Sequence, residues 1–140
     1  MIGILKAKIE EFCKSYANEH YKKNNNFEVF DSLSPIVDTK SCFDDLRVPI
    51  DHVSRRPTDT YYLTNDTVLR THTSAHQCKL MEKVGVGTFL CSGDVYRRDQ
   101  IDASHYPVFH QMEGRIAIIT FSAYFDDNKY IYTICRCSYI

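Results

Sequence analysis

The sequence predicts an α+β fold, an antiparallel β-sheet flanked by helices, on three observations. Apolar residues recur at three-to-four spacing near the start, a shorter helical pattern sits mid-chain, and two strand-like runs bracket a polar stretch. The elements follow in order. Ile2, Leu5, Ile9, Phe12 and Tyr16 are separated by lysines and glutamates, which is the pattern of an amphipathic helix from Ile2 to about Lys22. Its apolar stripe is expected to pack and to carry no chemistry. Lys23 and the asparagines Asn24, Asn25 and Asn26 end it, and Phe27 to Leu33 alternates as a strand stopped by Ser34-Pro35. Residues 38–60 hold Asp44-Asp45, Pro49, Asp51 and Arg55-Arg56-Pro57 with little periodicity, and read as an extended connection over the surface. Tyr61-Tyr62-Leu63 is a brief strand signal. Ser74 is placed to cap a helix from Ala75 to about Val84, closed by Gly85 and Gly87. Thr88 to Arg98 and Val108 to Ile119 then form a long antiparallel hairpin.

Bulk properties bound the chain to one domain without choosing its chemistry. At 140 residues it can bury a core, and 17 Lys plus Arg against 18 Asp plus Glu leave a net charge of −1, so no global field advertises nucleic acid. Of the six cysteines only Cys135 and Cys137 lie close together, and C-x-C is too tight for the usual C-x-x-C zinc hook. Reduced thiols in an intracellular, soluble protein are expected, with no structural metal. The uncharged stretch Ile116 to Phe125, which none in the chain exceeds, is too short to span a bilayer. Neither a secretory signal nor an Arg-rich transit peptide is visible after Met1, so any targeting segment is expected outside this chain.

Chemistry-bearing residues gather in Leu69 to Gln77 and in Gly93 to Glu113. Period-two alternation puts Val95, Arg97 and Asp99 on one face of the first strand, and Phe109, Gln111 and Glu113 on one face of the second. If those faces coincide, a guanidinium, an aromatic ring, an amide and two carboxylates share a floor too polar for a core. A guanidinium can hold a phosphate bidentately, a ring can stack on a nucleobase, and Gln with carboxylates can surround an ammonium group.

The same residues carry a family resemblance. Gly93-Asp94-Val95-Tyr96-Arg97-Arg98-Asp99-Gln100-Ile101-Asp102, continuing through His105-Tyr106-Pro107 to Phe109-His110-Gln111-Met112-Glu113, resembles motif 2 of phenylalanyl-tRNA synthetases of the organellar, single-chain, class II type. Leu69 to Gln77, with its T-H-T-S-A-H-Q core, resembles the segment before motif 2. Phe30 to Val37 and Pro49 to Arg55 resemble the motif 1 region and its continuation, so the match covers roughly residues 2 to 115 in the family's order. The resemblance implies a partial class II catalytic core over residues 1–140: a helix over 1–22, motif 1 through motif 2 over 27–115, and an unmatched 116–140. It implies a ligase that joins phenylalanine to ATP as an adenylate and passes the aminoacyl group to tRNA-Phe, with MgATP as substrate and no prosthetic group. Carried over by position, Arg97 would contact the α-phosphate as the catalytic arginine, His105 the outer phosphates, and Phe109 the adenine. His72, Ser74, Asp99, Gln111 and Glu113 would surround the amino acid. A monomer in the mitochondrial matrix or another organelle is implied as well. The glycine-rich motif 3, the side-chain pocket and the anticodon-binding domain have no match here, so the chain alone is expected to be inactive in pyrophosphate exchange.

Plainer readings compete at each position. Arg97 could pair with Asp99 or Asp102 on a solvated face, Phe109 could be core, and Ser74 could be only a cap. Arg55-Arg56 could touch tRNA, though a solvated loop is the plainer reading. His72, His76, His105 and His110 with Asp102 could build a zinc hydrolase, although H-x-x-x-H lacks the glutamate of H-E-x-x-H. A fragment that binds ATP or tRNA without turnover is a third reading.

Overall fold

The computed structural model describes residues 2–20, 27–85, 88–117 and 133–134. Helix α1 runs from Ile2 to His20, and the end expected at Lys22 lies outside the described residues. Strand β1 is Phe27–Phe30, followed by β2 (Ile36–Asp38) and β3 (Thr67–Leu69), which pair antiparallel as a small separate ribbon. Helix α2 (Gln77–Val84) precedes the long strands β4 (Thr88–Tyr96) and β5 (Val108–Ala117), and β6 (Thr133–Ile134) pairs with the end of β5. The main sheet has the order β1-β4-β5-β6. It is antiparallel from β4 to β6, with β1 added parallel to β4 across Phe27↔Thr88 to Phe30↔Cys91.

Strand β4 lies between β1 and β5, so its backbone is paired on both sides. Phe89, Leu90 and Cys91 are buried there, and Leu80 of α2 packs on Phe89 and Cys91 with Phe30, Leu33, Met81 and Val84 around them. The rings of Phe30 and Phe89 meet edge to face at 6.0 Å. Gly85 ends α2 at φ 64°, a conformation glycine adopts without a Cβ penalty, and its N–H reaches Met81 O.

The connection after β2 departs from the extended surface path expected for residues 38–60. Lys40–Asp44 forms a wide helical turn, begun by Asp38 Oδ1 accepting the Ser41 N–H at 2.5 Å, and it drives Cys42 and Phe43 fully inside. Those two join Val37, Val68 and Ala75 in a second core. A single turn of apolar residues has no period to read, which is why the polar flanks dominated the sequence pattern. Arg55 serves this loop. Its guanidinium lies 5.0 Å over Phe43 and donates to Asp44 Oδ1 and Val48 O, both at 2.6 Å. Residues 61–63 contribute one bridge, Tyr62 to Val68, rather than a strand.

Helix α1 also differs from its expected packing. Ile2, Leu5 and Phe12 are more than half exposed, and Ala17 is the buried apolar residue of its described length. The helix approaches the edge strand β1, where Lys6 Nζ bonds Asp31 at 2.6 Å, and that contact leaves most of the stripe uncovered.

Candidate functional site

The β4–β5 register sets the floor of the site. Val95 faces Phe109, Gly93 faces Gln111, and Cys91 faces Glu113. Directly opposed residues share a face, so the alternation read on each strand converges as the sequence required. One pair past the end of β4, the Arg97 N–H bonds Pro107 O at 2.9 Å and keeps Arg97 in phase. Its guanidinium sits 5.0 Å over the Phe109 ring, and its Nε donates to Thr71 O at 3.2 Å. Among the described residues Arg97 makes no ion pair, so the terminal nitrogens are available to an anion.

The segment 70–76 forms the wall. Arg70 is buried and ties it to β4: Nε donates to Asp94 O at 2.8 Å, while Arg70 O accepts the Tyr96 N–H at 2.9 Å. One guanidinium nitrogen also meets His76 Nε2 at 3.0 Å. Gly93 makes the room, because a Cβ there would stand 2.0 Å from Arg70 Nη2. Beyond Arg70 the chain turns at Thr73–His76 and continues into α2.

Ser74 is not the helix cap expected from its position. The cap positions belong to His72 and His76, and the Ser74 hydroxyl donates to Glu113 Oε2 at 2.7 Å instead. The turn begins one residue ahead of Ser74, which aims the hydroxyl at β5, where a carboxylate is the stronger acceptor. Thr73 Oγ1 donates to the same oxygen at 3.1 Å, and the Thr73 N–H to Gln111 Oε1 at 2.9 Å. Glu113 Oε1 accepts no hydrogen bond from the described residues.

His72 belongs to the wall and is half-buried. Burial first, then the charge of Arg97, pushes its pKa down to about 4, so the ring is neutral at pH 7. Its Nδ1 is buried without a partner among the described residues. A neutral imidazole with one orphaned nitrogen is equipped to meet a polar ligand.

Asp99 and His105 stand apart from this group. Both are exposed on the β4–β5 loop, where the Asp99 charge helps raise the His105 pKa. His105 Nδ1 bonds Asp102 at 2.8 Å. The histidines of the zinc reading are dispersed: His76 meets Arg70, His105 meets Asp102, and His110 pairs with Asp94. Among the described residues no three His, Cys, Asp or Glu side chains come together as a metal site. No described helix is long and apolar enough to cross a membrane.

The sequence pattern assigned Thr71, Thr73 and Arg70 no individual role, and it offered Asp102 only as a partner of Arg97 or as a zinc ligand. The first two act through backbone or short hydroxyl contacts, which leave no pattern. Asp102-Ala103-Ser104 was legible as an aspartate placed to accept from its own loop.

Comparison with known proteins agrees with this architecture. The model of the class II core domain of tRNA synthetases (F) matches residues 5–131. The chain is 59% identical over 113 residues to the chloroplastic/mitochondrial phenylalanine–tRNA ligase of Arabidopsis thaliana, covering 81% of this chain and 25% of that protein. It is 50% identical over 109 residues to the mitochondrial phenylalanine–tRNA ligase of Rattus norvegicus, covering 76% and 23%. Among solved structures, pyrrolysyl-tRNA synthetase of Desulfitobacterium hafniense aligns with TM-score 0.54 at 13% identity, over 66% of this chain and 34% of that one, a likeness of fold alone. The chain spans about a quarter of the length of these curated relatives.

Proposed function

Because the chain belongs to the class II core-domain family of tRNA synthetases, we propose that it supplies the ATP- and phenylalanine-binding half of a phenylalanine–tRNA ligase. The observation that carries this reading is the convergence of Arg97 and Phe109 with Ser74, Gln111 and Glu113 on one side of the β4–β5 hairpin, with His72 near enough to feel the charge of Arg97. In the first step a carboxylate oxygen of phenylalanine attacks the α-phosphorus of ATP and pyrophosphate leaves. Arg97 donates to the non-bridging α-phosphate oxygens, where negative charge grows. Phe109 stacks on the adenine, and Arg97 is braced between that ring and Thr71 O. His105, on the loop, reaches the outer phosphates. ATP enters as its magnesium complex, so the metal is part of the substrate.

Glu113 Oε1 accepts from the α-ammonium, with Gln111 and the neutral His72 beside it, and Ser74 holds the carboxylate in place. Asp99 joins this set only at the loop edge. In the second step a hydroxyl of the terminal tRNA ribose attacks the aminoacyl carbonyl and AMP leaves. The names of the relatives place them in mitochondria or chloroplasts, and the same organellar setting, with a monomeric enzyme, is proposed here.

Ligand selectivity tests the reading. L-Phenylalanine, in the presence of ATP, should bind the chain more tightly than 3-phenylpropionate, which lacks the ammonium group. Equal binding would show that Glu113 and its neighbours do not recognise an amino acid.

A further inference from the structure

The β4–β5 loop is organised around one carboxylate. Asp102 Oδ1 accepts the Ser104 N–H at 2.7 Å, the His105 N–H at 2.8 Å and the Ser104 hydroxyl at 3.0 Å. Both Asp102 oxygens also lie within hydrogen-bond reach of His105 Nδ1, at 2.9 and 2.8 Å. An ionised carboxylate only accepts, so Nδ1 carries the hydrogen and the tautomer is fixed. The ring is then held by one nitrogen and the backbone behind it is held by the same aspartate. Nε2 makes no hydrogen bond to the described residues, on a side chain that is 58% accessible.

We propose that Asp102 is the positioning residue of this loop, locking His105 by Nδ1 so that its Nε2 is presented to the outer phosphates of the nucleotide. The inference rests on the nucleotide reading given above and adds a residue to it. The charge state follows from the surroundings. Asp102 first, and Asp99 from the same loop, hold the His105 pKa above the ordinary histidine value. The hydrogen bonds from Ser104 and His105 hold the Asp102 carboxyl well below the usual carboxylate range. Among the described residues no cation counters the rise at His105. A protonated imidazole with a directed N–H makes a stronger bond to phosphate than a neutral one.

Asp102→Asn tests this, since asparagine keeps an oxygen for the two backbone N–H groups and removes the charge. Two quantities are measured on the 140-residue chain from about pH 5.5 to 8.5: the His105 ring titration by NMR, and the ratio of ATP to AMP affinity. AMP lacks the outer phosphates. In the parent chain ATP should lose its advantage as pH rises through the raised His105 midpoint. In Asp102→Asn both the midpoint and the loss should move to lower pH, with ATP weakened roughly three- to tenfold near neutrality and AMP unchanged. His105→Gln, which cannot titrate, should flatten the pH dependence of the ratio. An unmoved His105 midpoint, or a moved midpoint with an unmoved ratio, would overturn the role of Asp102 while leaving the nucleotide site intact. A parent chain that binds neither ATP nor AMP would overturn the nucleotide reading, and this inference with it.

Discussion

The guanidinium of Arg97 lies 5.0 Å over the ring of Phe109, one strand across, and its Nε is fixed by Thr71 O at 3.2 Å. A single arginine is thereby aimed by a ring that can also carry a base and by a wall that carries amino-acid ligands. Phe109→Leu keeps the apolar bulk but removes the stacking face and the cation–π contact. Nucleotide affinity should fall by about 1–3 kcal/mol, as aromatic–base stacking does on truncation, with the fold retained. Fluorescence titration with a nucleotide analogue measures this.

Ser74 and Thr73 both donate to Glu113 Oε2. Glu113→Gln replaces a charged acceptor serving two hydroxyls with a neutral one. Unfolding free energy should fall by about 1–2 kcal/mol, and discrimination of phenylalanine from 3-phenylpropionate should vanish. Urea melts and paired ligand titrations read the two effects separately.

Gly93 and Arg70 form a steric pair, so their substitutions should not add. Gly93→Ala forces the buried guanidinium from Asp94 O and should destabilise by roughly 2–4 kcal/mol. In an Arg70→Ala background the same change should cost much less, because the clashing atom is gone. A double-mutant cycle by chemical denaturation gives a coupling energy near zero if the two residues are independent, against this account.

His72 gives a pH signature whose sign follows from burial. Its folded pKa of about 4 lies below the ordinary value of 6.5, so the folded state resists protonation. The stability it contributes is complete above pH 6.5 and is lost as pH falls from there toward 4. The loss by pH 4.5 should be of order 2–3 kcal/mol. Melting His72→Asn beside the parent chain at several pH values isolates it. The variant's curve should be flatter across this window, and parallel curves would contradict the assignment.

The hairpin and its polar face were legible because a strand alternates strictly and both runs were long enough to show it. Arg97, Phe109, Gln111 and Glu113 could therefore be grouped before any register was known. Four features depended on tertiary context. Asp99 obeys the same alternation on paper, but the pairing reaches only as far as Arg97, and the Arg98 N–H already turns away to Asp59 O. Ser74 reads as a cap until Glu113 of a distant strand claims its hydroxyl. Phe43 is swallowed by one helical turn too short to show a period. The stripe on α1 is a genuine amphipathic pattern, yet amphipathicity does not say what covers it. The pairing of Ile116 and Ala117 with Ile134 and Thr133 is described, while the rest of 118–140 lies outside the described residues.

The most direct measurement is calorimetric titration of ATP into the chain and into Arg97→Ala. One ATP should bind per parent chain, and the substitution should weaken it at least about tenfold, the worth of a charge-assisted hydrogen bond, without altering the melting transition. Equal ATP affinity in the two proteins would contradict the assignment of Arg97 to phosphate, and with it the nucleotide site.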